Sequence, residues 1–154
     1  MRRTRIAFPL LAASVMCFLW VAPASADSAY HTGHIAFSPV GEAPLHSGFV
    51  QNIHANGPNV YAHEIYMLNG AEPNTAYQIA LSIWTSNTSC SGAPTLQLAT
   101  GALETNRAGN GRTDVVFTPA DAGGLRGLTV SASWTIWNGT TAVYDTGCEV
   151  VSLD

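Results

Sequence analysis

Two stretches of this chain alternate apolar and polar residues with a period of two, and that period admits few folds. In AYQIALSIW (76–84), Tyr77, Ile79, Leu81 and Ile83 share one side, with Gln78, Ala80 and Ser82 on the other. In LTVSASWTIW (128–137), Leu128, Val130, Ala132, Trp134 and Ile136 alternate with Thr129, Ser131, Ser133 and Thr135. Successive side chains of a strand point to opposite faces, so each stretch reads as an antiparallel strand with one face in a core and one in water. Weaker strands read at 33–38, 48–55, 60–68, 96–104, 112–118 and 142–152. Turn clusters separate them: GPN (57–59), NGAEPN (69–74), NRAGNG (106–111), PADAGG (119–124) and NGT (138–140). A helical stripe is missing throughout. About eight short strands at this spacing predict an all-β, antiparallel two-sheet sandwich.

The amino-terminal segment carries a different pattern. MRRTRIAFPLLAASVMCFLWVAPASA has Arg2, Arg3 and Arg5, then an apolar run from Ile6 to Val21, then Ala24-Ser25-Ala26. A charged start, an apolar core and a small-x-small site are the parts of a secretory signal, so residues 1–26 are expected to be removed and 27–154 to form one exported domain. Beyond that run, no apolar stretch approaches the roughly 20 residues that span a bilayer. Loss of the signal leaves three arginines against all ten acidic residues, a charge near −7, with no lysine anywhere in the chain. So few cations disfavour nucleic acid and anionic membrane surfaces as partners. The missing lysines also hint at a GC-rich bacterial source. Two cysteines remain, Cys90 and Cys148, and an even pair in an exported protein is most simply one disulfide.

Leu68-Asn-Gly-Ala-Glu-Pro-Asn-Thr-Ala-Tyr77, followed by an alternating strand, resembles the turn-plus-tyrosine entry of fibronectin type III and other immunoglobulin-like sandwiches. There a Pro-x-Thr-x-Tyr turn leads into a strand and the tyrosine hydroxyl bonds back to upstream backbone. Glu104-Thr-Asn-Arg-Ala-Gly-Asn-Gly-Arg112 is similar to a hairpin of many secreted bacterial sandwiches. The resemblance covers residues 68–118 and implies an immunoglobulin-like fold. It carries no catalytic residue over. Cys90 lies in TSNTSCSG, past a strand end, unlike the mid-strand cysteines of antibody domains.

Motifs for chemistry are sparse. HEIYM (63–67) is one residue short of the His-Glu-x-x-His of zinc proteases, because Met67 stands where the second His belongs. Its β-branched and aromatic neighbours favour a strand, in which His63 and Glu64 face opposite ways, and one polar residue of the pair points to water. All five histidines, His31, His34, His46, His54 and His63, lie in the first third of the exported chain. His31, His34 and His63 are the candidate copper or zinc ligands if sheet pairing gathers them. A nucleophile elbow is missing, and Glu64, Glu72, Glu104, Asp114, Asp121 and Asp145 show no spacing that singles out a carboxylate pair. Trp84 and Trp137 fall on the polar faces of their strands, where an indole can stack on a sugar or anchor a protein. Asn87-Thr-Ser89 and Asn138-Gly-Thr140 fit the glycosylation pattern, idle in a bacterium.

The expectation is a secreted, non-catalytic binding or structural module with no cofactor, using Trp84 and Trp137 toward a protein or carbohydrate ligand. An exported metal-binding protein and a hydrolase with an unrecognised site are the two alternatives.

Overall fold

The structure is a computed structural model and describes residues 31–54 and 62–153. The expected signal segment lies outside the described residues, as does the GPN turn. Among the described residues ten strands form: β1 (His31–Ala36), β2 (Ser38–Pro39), β3 (Ser47–His54), β4 (Ala62–Asn69), β5 (Ala76–Trp84), β6 (Leu96–Glu104), β7 (Gly111–Phe117), β8 (Leu128–Asn138), β9 (Thr141–Asp145) and β10 (Glu149–Leu153). A short helical segment, α1 (Pro119–Ala122), joins β7 to β8. One sheet has the order β1-β3-β4-β7, the other β2-β9-β8-β5-β6, with β10 also on β8. Every pairing is antiparallel.

The expected two-sheet sandwich is therefore present, and its layers are consistent with an immunoglobulin-like fold. Consecutive strands β3 and β4 are neighbours in one sheet, as are β5 and β6, and β8 and β9, in the other. Inward-facing residues of both layers make one core, with Val50, Tyr66, Tyr77, Ile79, Leu103, Trp134, Ile136 and Tyr144 almost wholly buried. Burial of each such large side chain contributes about 1.5–3 kcal/mol.

Three expectations need correction. The strand expected over 142–152 is two strands, both lying along β8. β9 pairs with the stretch Thr135–Asn138 and β10 with Leu128–Ala132. Between them the Trp134 amide bonds to Thr146 Oγ1 at 3.1 Å, Asp145 Oδ1 accepts from the Gly147 amide at 2.6 Å, and Gly147 takes φ 73°. The Thr146 amide keeps one half of the ladder rung, on the Trp134 carbonyl at 3.1 Å, while the Thr146 hydroxyl replaces the other half and Asp145 turns the chain, an opening that glycine allows. Tyr144 is the fully buried residue of β9, Val143 is partly buried against the core, and in β10 Val151 rather than Val150 packs on it.

The segment 104–112 is not a hairpin within a sheet. Thr105 and Gly111 make one isolated bridge, after which β6 and β7 diverge into different layers. The tyrosine entry also works differently. Tyr77 is buried edge-on to Tyr144 at 5.8 Å, and the hydroxyl reaching upstream backbone is that of Tyr144, donating to the Pro44 carbonyl at 2.8 Å. The turn before Tyr77 is held by Thr105 Oγ1, which accepts from the Thr75 amide and donates to the Glu72 carbonyl.

Cys90 and Cys148 are bonded, with Cα atoms 5.5 Å apart. The bridge ties segment 85–95 to the break between β9 and β10 and does not cross the core.

Candidate functional site

Sheet register separates His34 from His63. Pairing places His31 opposite His54, and His34 opposite Gln51. His63 lies opposite Ile53 on the other side of β3, so it shares that strand's outer face. His34 is exposed and packs its ring on Phe49 at 4.2 Å. His63 sits on the outer face and contacts Asp114 Oδ2 at 3.2 Å. Among the described residues, no three His, Cys, Asp or Glu side chains gather as a metal site. The side chains of His34 and His63 are thus each engaged separately, on strands divided by β3.

HEIYM resolves into a strand with His63 outside and Glu64 inside. Ala62, Glu64, Tyr66 and Leu68 face the core, while His63, Ile65 and Met67 face out. The expectation of one polar residue toward water holds: His63 faces out, and Glu64, on the opposite face, is 1% exposed. Glu64 Oε1 accepts from Asn52 Nδ2 at 3.1 Å and from the Trp134 indole at 2.9 Å. Tyr66 hydroxyl bonds Oε2 and reaches Thr100 Oγ1 at 3.1 Å, and Thr100 donates to the Ile79 carbonyl at 3.4 Å. Asn52, Glu64 and Tyr66 come from one sheet, Thr100 and Trp134 from the other, so the network stitches the layers. Burial pushes the Glu64 carboxyl up to about 7 against the opposing pull of the Tyr66 and Trp134 hydrogen bonds. The phase of β4 carried a signal for this, since Glu64 alternates in step with Tyr66 and Leu68. Asn52 does the same with Val50 on β3.

Two clefts flank β10. The first, about 210 Å³, is lined by Trp84, Thr85, Thr88, Thr129, Ser131 and Val150 among others, all uncharged. The second, about 200 Å³, lies between β10 and the β1–β3 edge, with Gly33, Ile35, Asn52, His54 and Val150 in its walls. Val150 is 60% exposed and belongs to both. Each cleft has a desolvated polar atom with no hydrogen-bond partner. In the first it is Ser131 Oγ, from a residue 1% exposed; in the second it is Asn52 Oδ1, from a residue 4% exposed. Such orphans are uncommon and cost about 1–3 kcal/mol each.

Trp84 lies on the outer face of its strand, as its phase predicts, but it is 8% exposed because segment 85–95 covers it. Its indole donates to the Gly92 carbonyl at 3.1 Å. It is a wall of the first cleft and not an open platform. Trp137 is half-buried opposite Gln78, whereas Trp84 is opposite Ser131. Six residues of strand separate the two indoles, about 20 Å, so they form no common surface. Asn87 of the first glycosylation pattern holds its own loop, its Oδ1 accepting from the Ser89 and Ser91 amides.

Sequence reading missed Ser131, because a residue covered by a loop looks the same in an alternating strand as one in water, and it passed over Asn52 despite its phase with Val50. Comparison of the chain with protein-family models, with curated proteins and with solved structures finds no match in any of the three.

Proposed function

We propose that the chain is an exported, non-catalytic binding module that takes its ligand in the clefts beside β10. One observation carries the reading: each of two neighbouring clefts is floored by a buried polar atom that lacks a partner. A fold retains such a cost where a ligand supplies the missing hydrogen bond. Reactive groups support the non-catalytic part. Glu64, the carboxyl with the strongest shift, is sealed from solvent and already accepts from three donors. The disulfide fits an oxidising compartment.

A thermal-shift screen of saccharides, peptides and small polar metabolites on the oxidised chain tests this. A ligand that binds only the folded state raises Tm by mass action. Val150→Trp, at an exposed position shared by both clefts, is expected to abolish that rise while leaving the unliganded Tm within about 2 °C. A ligand whose effect Val150→Trp leaves intact places binding elsewhere. Turnover of any substrate in a hydrolase panel overturns the non-catalytic reading.

A further inference from the structure

The first cleft has a chemistry specific enough to name a ligand class. Its walls include an indole, an isopropyl group and hydroxyls, with Trp84 and Val150 on the apolar side and Thr85, Thr88, Thr129 and Ser131 on the polar side; the one carboxamide, Asn87, is turned onto its own loop. No lining residue is charged, so a phosphate, carboxylate or ammonium would leave water without a counter-charge. Hydroxyls both donate and accept, and the partner that uses both functions repeatedly over a small volume is another set of hydroxyls. Trp84 cannot swing away, since its indole N–H is fixed on Gly92 and the loop carrying Gly92 is closed by the Cys90–Cys148 bridge. That rigidity lowers the entropy lost on binding. The volume, about 210 Å³, is below the range of drug-sized pockets and suits one ring.

We infer that this cleft binds a neutral sugar ring, with ring C–H groups against Val150 and the exposed part of Trp84 and a ring hydroxyl on Ser131 Oγ. The inference rests on the binding reading above and narrows it to one cleft and one class of ligand.

The test is a titration of the ¹⁵N-labelled, oxidised protein with D-glucose, D-galactose, D-mannose and N-acetyl-D-glucosamine, each alone, followed by NMR. Glucuronate and glucosamine serve as charged controls. At least one neutral sugar is expected to shift the Trp84 indole signal and amides of 85–88 and 129–131, and to do so more strongly than either charged control. Ser131→Ala is expected to weaken it about tenfold, the loss of one good hydrogen bond. Val150→Trp, which does not touch the buried hydroxyl, is expected to block the site and guards against misfolding of the first variant. The inference is overturned if no neutral sugar moves these signals, or if Ser131→Ala titrates like the parent. A peptide that shifts the same signals where sugars do not would sink the sugar assignment and leave the binding module standing. If nothing in the wider screen engages either cleft, both fall.

Discussion

Glu64 is the residue at which burial and charge conflict most. Its raised value near 7 means that the folded state holds a proton that the unfolded chain has released. The sign follows from linkage: between the ordinary carboxyl value of 4.5 and about 7, the folded state binds more protons, so this residue's contribution to stability falls as pH rises. The loss is complete above pH 7 and amounts to about 3 kcal/mol. The network has a consistent form for each state. With the carboxyl neutral, Oε2–H donates to Tyr66, Tyr66 to Thr100, and Thr100 to the Ile79 carbonyl; with it ionised, Tyr66 donates to Oε2. Glu64→Gln reproduces the neutral form, its amide N–H₂ facing Tyr66 and its oxygen facing Asn52 and Trp134. Urea unfolding at intervals from pH 4.5 to 8.5 is expected to show that the parent loses stability relative to the Gln variant across this window; parallel curves would refute the assignment. Ser131 offers a simpler case. Removing a hydroxyl that has no partner is expected to leave unliganded Ser131→Ala equal to the parent or up to about 1 kcal/mol more stable. A loss of 1 kcal/mol or more would show that the hydroxyl is satisfied in solution.

At the scale of elements, alternation made β5 and β8 legible to within a residue, because a half-buried strand must repeat every two positions. The same rule hid the polar interior. Period two separates His63 from Glu64 but says only which residues share a face, and Ile65 and Met67 make the outer face of β4 look as apolar as the inner. His34 and His63 stand apart for a related reason: nearness in sequence does not survive a register that sets them on strands two places apart. The turn between β6 and β7 was visible as a turn, yet not as a crossing between layers, since a tight Asn/Gly loop serves either purpose. Gly109 is what the crossing demands. It has φ 74°, and a Cβ there would stand 2.1 Å from the Ala71 carbonyl oxygen. Left-handed backbone and overlap with backbone atoms both penalise a side chain, so Gly109→Ala is expected to cost about 2–4 kcal/mol. Gly92, also at positive φ but with open space around its Cβ, is expected to cost only the conformational part when changed to Ala, about 1–2 kcal/mol. Equal losses at both sites in urea unfolding would contradict the close packing assigned to Gly109.

For the whole molecule, the disulfide and the core do separable work. The core runs through both layers and is set by inward side chains from β3, β4, β5 and β8, none of which needs the bridge in order to alternate. Cys90 and Cys148 instead join an irregular loop to an irregular break, 58 residues apart. Bridging them limits the unfolded chain and holds β10, which among the described residues pairs with β8 alone, in its register. A strand with one partner is the most prone to slip or to recruit a neighbouring chain. Replacing both cysteines with serine is therefore expected to lower stability by about 2–5 kcal/mol while the β-type circular dichroism spectrum persists. Local losses should exceed the global one: hydrogen exchange is expected to quicken most at 85–95 and 149–153, the two segments the bridge meets, and least in β5. The first cleft draws its walls from those segments, so ligand binding there should weaken more than the change in Tm suggests. Collapse of the spectrum would mean that alternation alone does not hold the sandwich. Exchange that quickens evenly across both sheets would mean that the bridge acts only on the unfolded chain and does not shape the cleft.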